Sequence, residues 1–267
     1  MIDYRCMTSS LRVLTWNVWW RFGPWGERQQ GLLRSMRDTG ADLIGVQECW
    51  PEQIADFAAA LEYHHVTSAP DPDSEFGFVN AVLSRWPIES TAELALPTLQ
   101  EPARRSAVMA RIRSPFGSIP MFSTHLDWQY DRSLHRQTQL EAICSFVDQH
   151  TGADDPFPAL LVGDFNAVPD SDEVRRLTGR GAPYVPGLIF SDVWEQIGEG
   201  PGFTWSERNP HVEAPAWPNR RLDYITVAWP RNRPAGNPVA TGLVGSRTVQ
   251  GQVPSDHFGV MADLRTG

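Results

Sequence analysis

No apolar run in this chain reaches the ~18 residues that a membrane-spanning helix needs, so stable membrane insertion is not expected. Cysteine is scarce. Cys6, Cys49 and Cys144 are scattered, odd in number and never in CxxC spacing. That argues against a disulfide framework or a thiolate zinc site, and makes a reducing cytoplasm the expected compartment. The opening stretch MIDYRCMTSS has neither an apolar centre nor a cleavage pattern, so no secretory leader is expected. It reads as a tail (residues 1–10) before one domain over residues 11–267. A basic excess is also missing: the formal net charge is −9, and the densest basic stretch is ARRSAVMARIR. Tight, non-specific duplex binding is disfavoured, while a locally basic groove leaves nucleic acid open as a substrate. No linker-like stretch, charge block or fixed-period repeat divides the chain, and a monomer is expected.

What the chain does have is short apolar runs between turn residues. Leu11–Val18, Asp42–Glu48, Val79–Ser84, Ser106–Ile112, Ile119–Leu126, Ala159–Gly163, Leu222–Trp229 and Phe258–Leu264 read as strands. Several are apolar at nearly every position, as in strands covered on both faces. Helices are fewer. GERQQGLLRSMRDTG aligns Leu32, Leu33 and Met36 and stops at Gly40. PEQIADFAAAL begins with Pro51 in its first turn. DRSLHRQTQLEAICSFVDQH sets Leu134, Leu140, Ile143, Cys144 and Val147 on one side, with Asp131 as its expected cap, and SDEVRRL is a short fourth. With 41% hydrophobic residues for core, the pattern predicts a layered α/β sandwich: two packed sheets with helices on the outer faces.

Polar residues suited to metal or phosphate chemistry gather at the ends of these strands. They are Asn17, Glu48, His125 with Asp127, Asp164 with Asn166, Asp223, and Asp256-His257. Singly, each has a plain reading: a turn residue, a rim charge, a structural histidine. Six strand ends so furnished fit that reading poorly, because sites are built from the loops at one end of a rigid scaffold.

The ordered set TWNV, QE, STHL, GDFN, RLDYI and SDH, across residues 14 to 257, resembles the endonuclease/exonuclease/phosphatase superfamily. The resemblance implies an α/β four-layer sandwich, two packed mostly antiparallel sheets flanked by helices, and hydrolysis of phosphate esters by an in-line water with Mg2+ or Mn2+. Glu48 then matches the principal metal ligand, with Asn17, through its side-chain oxygen, and Asp256 beside it. Hard oxygen donors suit such ions, and no cysteine is required. Asp164 and Asn166 match the pair at the attacking water and phosphate, their side chains pointing the same way if the backbone is extended. His257, paired with Asp223, matches a general base or a phosphate contact. His125 matches a general acid or transition-state stabiliser, with Glu75 in the place of its carboxylate partner. Asp127 stands outside the chemistry. Asn80 matches a position near the site, with Val79 where the family has glycine. Arg104 and Arg105 match a phosphate-contacting arginine, and Arg220 and Arg221 invite the same reading.

The substrate is less legible. Of eleven tryptophans, Trp19, Trp20, Trp25, Trp50 and Trp128 cluster around the chemical residues, where they can stack bases, seat an apolar group or simply pack. The expectation is a phosphodiesterase or nuclease. A phosphatase or lipid phosphodiesterase acting on a small substrate is the alternative. A silent binding module would have lost a ligand position, and every position is filled.

Overall fold

The eight apolar runs become the eight inner strands of two six-stranded sheets. The computed structural model describes residues 10–71, 76–98, 105–152, 154–212, 218–231, 234–246, 248 and 252–267. Its strands are β1 (Ser10–Asn17), β2 (Leu43–Cys49), β3 (His64–Thr67), β4 (Val79–Ser84), β5 (Ile88–Ala95), β6 (Ser106–Ser114), β7 (Gly117–His125), β8 (Leu160–Asp164), β9 (Ile189–Asp192), β10 (Asp223–Trp229), β11 (Pro238–Val244) and β12 (Gly259–Arg265). Its helices are α1 (Trp25–Thr39), α2 (Pro51–Leu61), α3 (Ser133–Gln149), α4 (Asp172–Leu177) and α5 (Val193–Ile197). The strand orders are β11-β12-β1-β2-β4-β3 and β5-β6-β7-β8-β10-β9.

Each sheet holds one parallel pair, β1 with β2 and β7 with β8, joined by α1 and α3 as crossovers. The strands flanking each parallel pair, β12 and β4 in one sheet and β6 and β10 in the other, run antiparallel to it. The C-terminal ends of β1, β2, β7 and β8 therefore lie on the same edge as the N-terminal ends of β12, β4, β6 and β10. Leu11, Val13, Leu43, Met121, Leu160, Val162, Ile225 and Val227 fill the layer between the sheets. Leu32, Met36, Ile54 and Phe57 from α1 and α2 cover the outer face of one sheet. Leu140, Ile143, Val174 and Leu177 from α3 and α4 cover the other.

Two helix details differ from the expectation. Asp131 does not cap α3, whose N-cap is Arg132 with no side-chain cap bond. Leu134 is 79% exposed, because the buried face of the helix starts with the polar His135, Arg136 and Gln139 and turns apolar only from Leu140. Cys49 and Cys144 are buried and free; of residues 1–10, expected as a tail, Ser10 begins β1 and residues 1–9, Cys6 among them, lie outside the described residues. Among the described residues no helix is long and apolar enough to cross a membrane.

Candidate active site

Alternation along the strands builds the site. Val13, Thr15 and Asn17 share the inward face of β1, since every second side chain points the same way. Met121, Ser123 and His125 do so on β7, Leu160, Val162 and Asp164 on β8, and Val227, Ile225 and Asp223 on β10. Each inner face runs from apolar bulk to chemical groups at one edge. In the same layer as Thr15 and Ser123, Gln47 donates to Thr15 Oγ1 at 3.2 Å and to Ser123 Oγ at 3.0 Å, a polar belt that ties the sheets beneath the site. Glycine permits the approach at Gly163. Its φ is +146°, and a Cβ there would fall 2.0 Å from the Thr124 carbonyl oxygen.

Asp164 is the hub, with 1% of its surface exposed. Its Oδ2 accepts from Asn17 Nδ2 at 3.0 Å and lies 3.5 Å from His125 Nε2 and 3.8 Å from His257 Nε2. Its Oδ1 accepts from the Asn166 backbone N–H at 2.9 Å. Asn166 is not on extended backbone: its φ is +48°, and β8 has already ended. The pair is held together by this side-chain-to-backbone turn rather than by strand alternation. Asn166 Nδ2 donates to Leu126 O at 3.1 Å.

The two histidines are prepared in opposite ways. His257 Nδ1 binds Asp223 Oδ2 at 2.8 Å. Burial acts to lower its pKa, but the charges of Asp223, Asp164 and Asp256 outweigh it and hold the imidazole well above its ordinary value. His125 Nδ1 instead meets Arg105 Nη1 at 2.8 Å. A guanidinium carries only donors, so Nδ1 accepts and the proton resides on Nε2, facing Asp164. Burial, then Arg105 and His257, push this imidazole well below its ordinary value and keep it neutral. Glu75 and Arg104 lie outside the described residues.

Glu48 has φ +52° and stands in a bulge where the β2–β4 register shifts between Val46 and Cys49. The bulge turns its carboxylate toward the cleft, 3.9 Å from His125 Nε2. Burial, with Asp256 nearby, pushes Glu48 up to about 7. Burial raises Asp256 as well. Asp164 is pushed up to about 6 by burial and Asp223. Asn17 Oδ1 accepts from the Trp19 N–H at 3.0 Å and keeps a second lone pair. Two carboxylates, both raised by burial and one of them by the other, beside an amide oxygen, fit a hard divalent cation by donor chemistry. A second acid and histidine group, Asp164, Asp223 and His257, has its ligand atoms within 4.8 Å of one another, but there His257 Nδ1 is already taken by Asp223.

A cleft of about 370 Å³ opens beside these groups, lined by Glu48, Asn80, Arg105 and His125 and walled by Phe22, Phe76, Phe78 and Trp128. Asn80 is held by Ser106, its Nδ2 donating to Ser106 O at 2.9 Å. The expected aromatic mouth is thus mainly phenylalanine. Trp20 packs edge-on behind Phe78 and Trp50, and Trp19 lies against His211. Arg221 does not reach the site; it is buried and paired with Asp192 Oδ2 at 2.8 Å. Arg220 lies over the Tyr130 ring. Asp127 accepts from Gln129 N and Arg132. Sequence reasoning missed Phe76, Phe78 and the buried Arg28; only the crowding of aromatics near the motifs hinted at the first two.

Residues 14–257 match the Endonuclease/Exonuclease/phosphatase family. The chain is 25% identical over 262 residues to tyrosyl-DNA phosphodiesterase 2 of Xenopus tropicalis, covering 96% of this chain and 66% of that protein, so it spans slightly under two thirds of that relative. Its fold is similar to D. rerio TDP2 solved with a single-strand DNA product (TM-score 0.79, 21% identity, 96% and 99% of the two chains). It is also similar to an endonuclease/exonuclease/phosphatase from Bacteroides vulgatus (TM-score 0.77, 19% identity, 96% and 99%).

Proposed function

This chain belongs to the endonuclease/exonuclease/phosphatase family and is with it a phosphoric ester hydrolase, and from that premise we propose a Mg2+- or Mn2+-dependent phosphodiesterase acting on a nucleic-acid strand. The observation that carries this reading is the Asp164 carboxylate, held on both oxygens between Asn17 and Asn166 with a histidine on either side. Glu48, Asp256 and the Asn17 amide oxygen would hold the cation, which when bound neutralises phosphate charge and stabilises the charge that develops in the transition state. Asp164, raised to about 6, is matched to take a proton from the attacking water near neutral pH. Asn166 keeps the carboxylate oriented. His257, kept cationic by Asp223, is a phosphate contact rather than a base, and neutral His125 donates from Nε2 to a phosphoryl oxygen. Arg105 fixes that tautomer and faces the same cleft. Opposed environments for paired titratable groups are how one site divides such roles.

Nucleic acid is favoured because the aromatic wall of the cleft suits a planar group, and because relatives are named for a tyrosyl-DNA diester. The net charge of −9 favours the second reading, a small or lipid phosphoester with little dependence on backbone charge. Hydrolysis of bis-p-nitrophenyl and p-nitrophenyl phosphate with Mn2+, Mg2+ or EDTA tests the chemistry. Metal-dependent diester cleavage is expected, lost by about 10²–10⁴-fold in Asp164→Ala with unchanged circular dichroism. Silence toward the diester from folded, metal-supplied enzyme would overturn it. Cleavage of single-stranded and tyrosyl-linked oligonucleotides that weakens steeply between about 50 and 200 mM salt would separate the two substrates.

A further inference from the structure

Arg28 belongs to the first turn of α1, where an amphipathic pattern puts a solvated charge, yet none of its surface is exposed. Its guanidinium gathers backbone carbonyls from two separate segments. Nη1 donates to Val18 O at 3.0 Å and to Pro254 O at 2.7 Å. Nη2 lies 2.9 Å from Trp19 O, 3.0 Å from Trp20 O and 2.8 Å from Phe22 O, and the group stacks 4.6 Å above the Trp19 ring. Carbonyl oxygens that converge in this way repel one another unless a cation lies among them.

These segments adjoin two of the three oxygen donors proposed for the metal, Asn17 and Asp256, and bond the backbone of the third, Glu48. Residues 18–22 leave β1 directly after Asn17, and the Trp19 N–H holds Asn17 Oδ1. The Trp20 N–H holds the Glu48 carbonyl at 2.9 Å. Pro254 stands two residues before Asp256, and Ser255 Oγ closes the loop by donating to Asn17 O at 2.7 Å. Trp19 and Trp20 have φ of 60° and 39°, a left-handed conformation that bulky residues adopt only when held there.

We infer that Arg28 is a positioning residue for the metal site: one planar fork spans the β1–α1 loop and the segment before β12, and so sets the spacing of Asn17, Glu48 and Asp256. It also places a fixed positive charge near Glu48 and Asp256, enough to lessen their repulsion but tied to carbonyls rather than to the carboxylates. Lysine at this position keeps the charge but offers three donors on a compact ammonium and cannot fork to both segments. This inference rests on the proposal that these three residues bind the cation.

The test is calorimetric titration of Mn2+ into wild type, Arg28→Lys and Glu48→Ala, with circular dichroism as the check on folding. The expected result is a folded Arg28→Lys protein whose Mn2+ dissociation constant is about 10–100-fold weaker, with no binding by Glu48→Ala. Turnover of bis-p-nitrophenyl phosphate by Arg28→Lys should need correspondingly more Mn2+ and recover most of its kcat at saturation. A purely structural role would lower the melting temperature without this split between metal requirement and kcat. Arg28→Lys binding Mn2+ as tightly as wild type overturns the inference and leaves the metal reading standing. A wild type that binds no Mn2+ overturns the metal reading and the inference with it. If Arg28→Lys does not fold, Arg28→Gln, whose single amide cannot span both segments and which touches no proposed ligand, takes its place. Weakened Mn2+ binding by that variant supports the inference, and unchanged binding overturns it.

Discussion

Two histidines of one chemical type sit in opposite electrostatic surroundings because their Nδ1 atoms meet opposite partners, a carboxylate for His257 and a guanidinium for His125. The assignment is testable at Asp223. Asp223→Asn keeps the shape of the contact and removes the charge that offsets burial around His257, so the imidazole pKa falls. The cationic form is then lost at neutral pH. The expected result is a loss of about 10²–10⁴-fold in kcat/KM near neutrality, with the alkaline limb of the pH–rate profile moved to lower pH, so that activity partly returns on acidification. A profile scaled down equally at every pH would overturn the charge role of Asp223. Gly163→Ala tests a steric demand one residue from the hub. With φ +146° and a contact at 2.0 Å, it should cost about 3 kcal/mol by urea denaturation, at the upper end of ordinary point mutations, and displace Asp164 enough to depress activity.

The eight strands legible in the sequence are the eight inner ones, and the four that were not, β3, β5, β9 and β11, are the four edges. The reason is physical. An inner strand is covered on both faces and must be apolar, whereas an edge strand such as IESTAELA keeps mostly half-exposed or exposed positions and carries charge. The five-residue α5 has too little length for a period to show. The site was legible for a related reason: its residues end apolar runs, so burial itself drew attention to Asn17, Glu48, His125 and Asp164. Arg28 was invisible, because nothing local to WGERQQ distinguishes an arginine that binds five carbonyls from one that faces water. The left-handed turns at Glu48 and Asn166 were equally hidden, since both follow from bulge and loop geometry rather than residue type. α3 supplies the test for the helices. Ile143→Ala, at a fully buried position, should cost about 2–5 kcal/mol in urea denaturation. Leu134→Ser, on the exposed first turn, should stay within about 0.5 kcal/mol. Equal effects would mean that α3 packs through the face its sequence suggests from Leu134 onward.

Gathering acids from two sheets into one buried edge leaves the fold with a charge that it does not neutralise alone. Glu48, Asp164 and Asp256 are all raised by burial, so the folded chain holds protons that the unfolded chain releases, and stability falls as pH rises from the ordinary carboxylate range through about 7. His257 acts in the same direction at higher pH, because its raised pKa keeps a proton that the unfolded imidazole loses. His125 and His135 are lowered and act the other way, but only below about 6.5, the ordinary histidine value. Above that point the balance is one-signed: in EDTA the protein should melt at progressively lower temperature as pH increases. A divalent cation held by these acids, as proposed, would bind them in their ionised form, so its stabilisation is expected to grow over the same range. Near pH 5 Mn2+ should leave the melting temperature almost unchanged, whereas near pH 8 a hundredfold excess over its dissociation constant adds about 2.7 kcal/mol. For a chain of this size that is a rise of about 5–10 °C. Thermal melts across this range with Mn2+ and with EDTA decide the matter. A shift of the same size at both ends would place the cation away from these acids, and no shift at either would remove it from the fold.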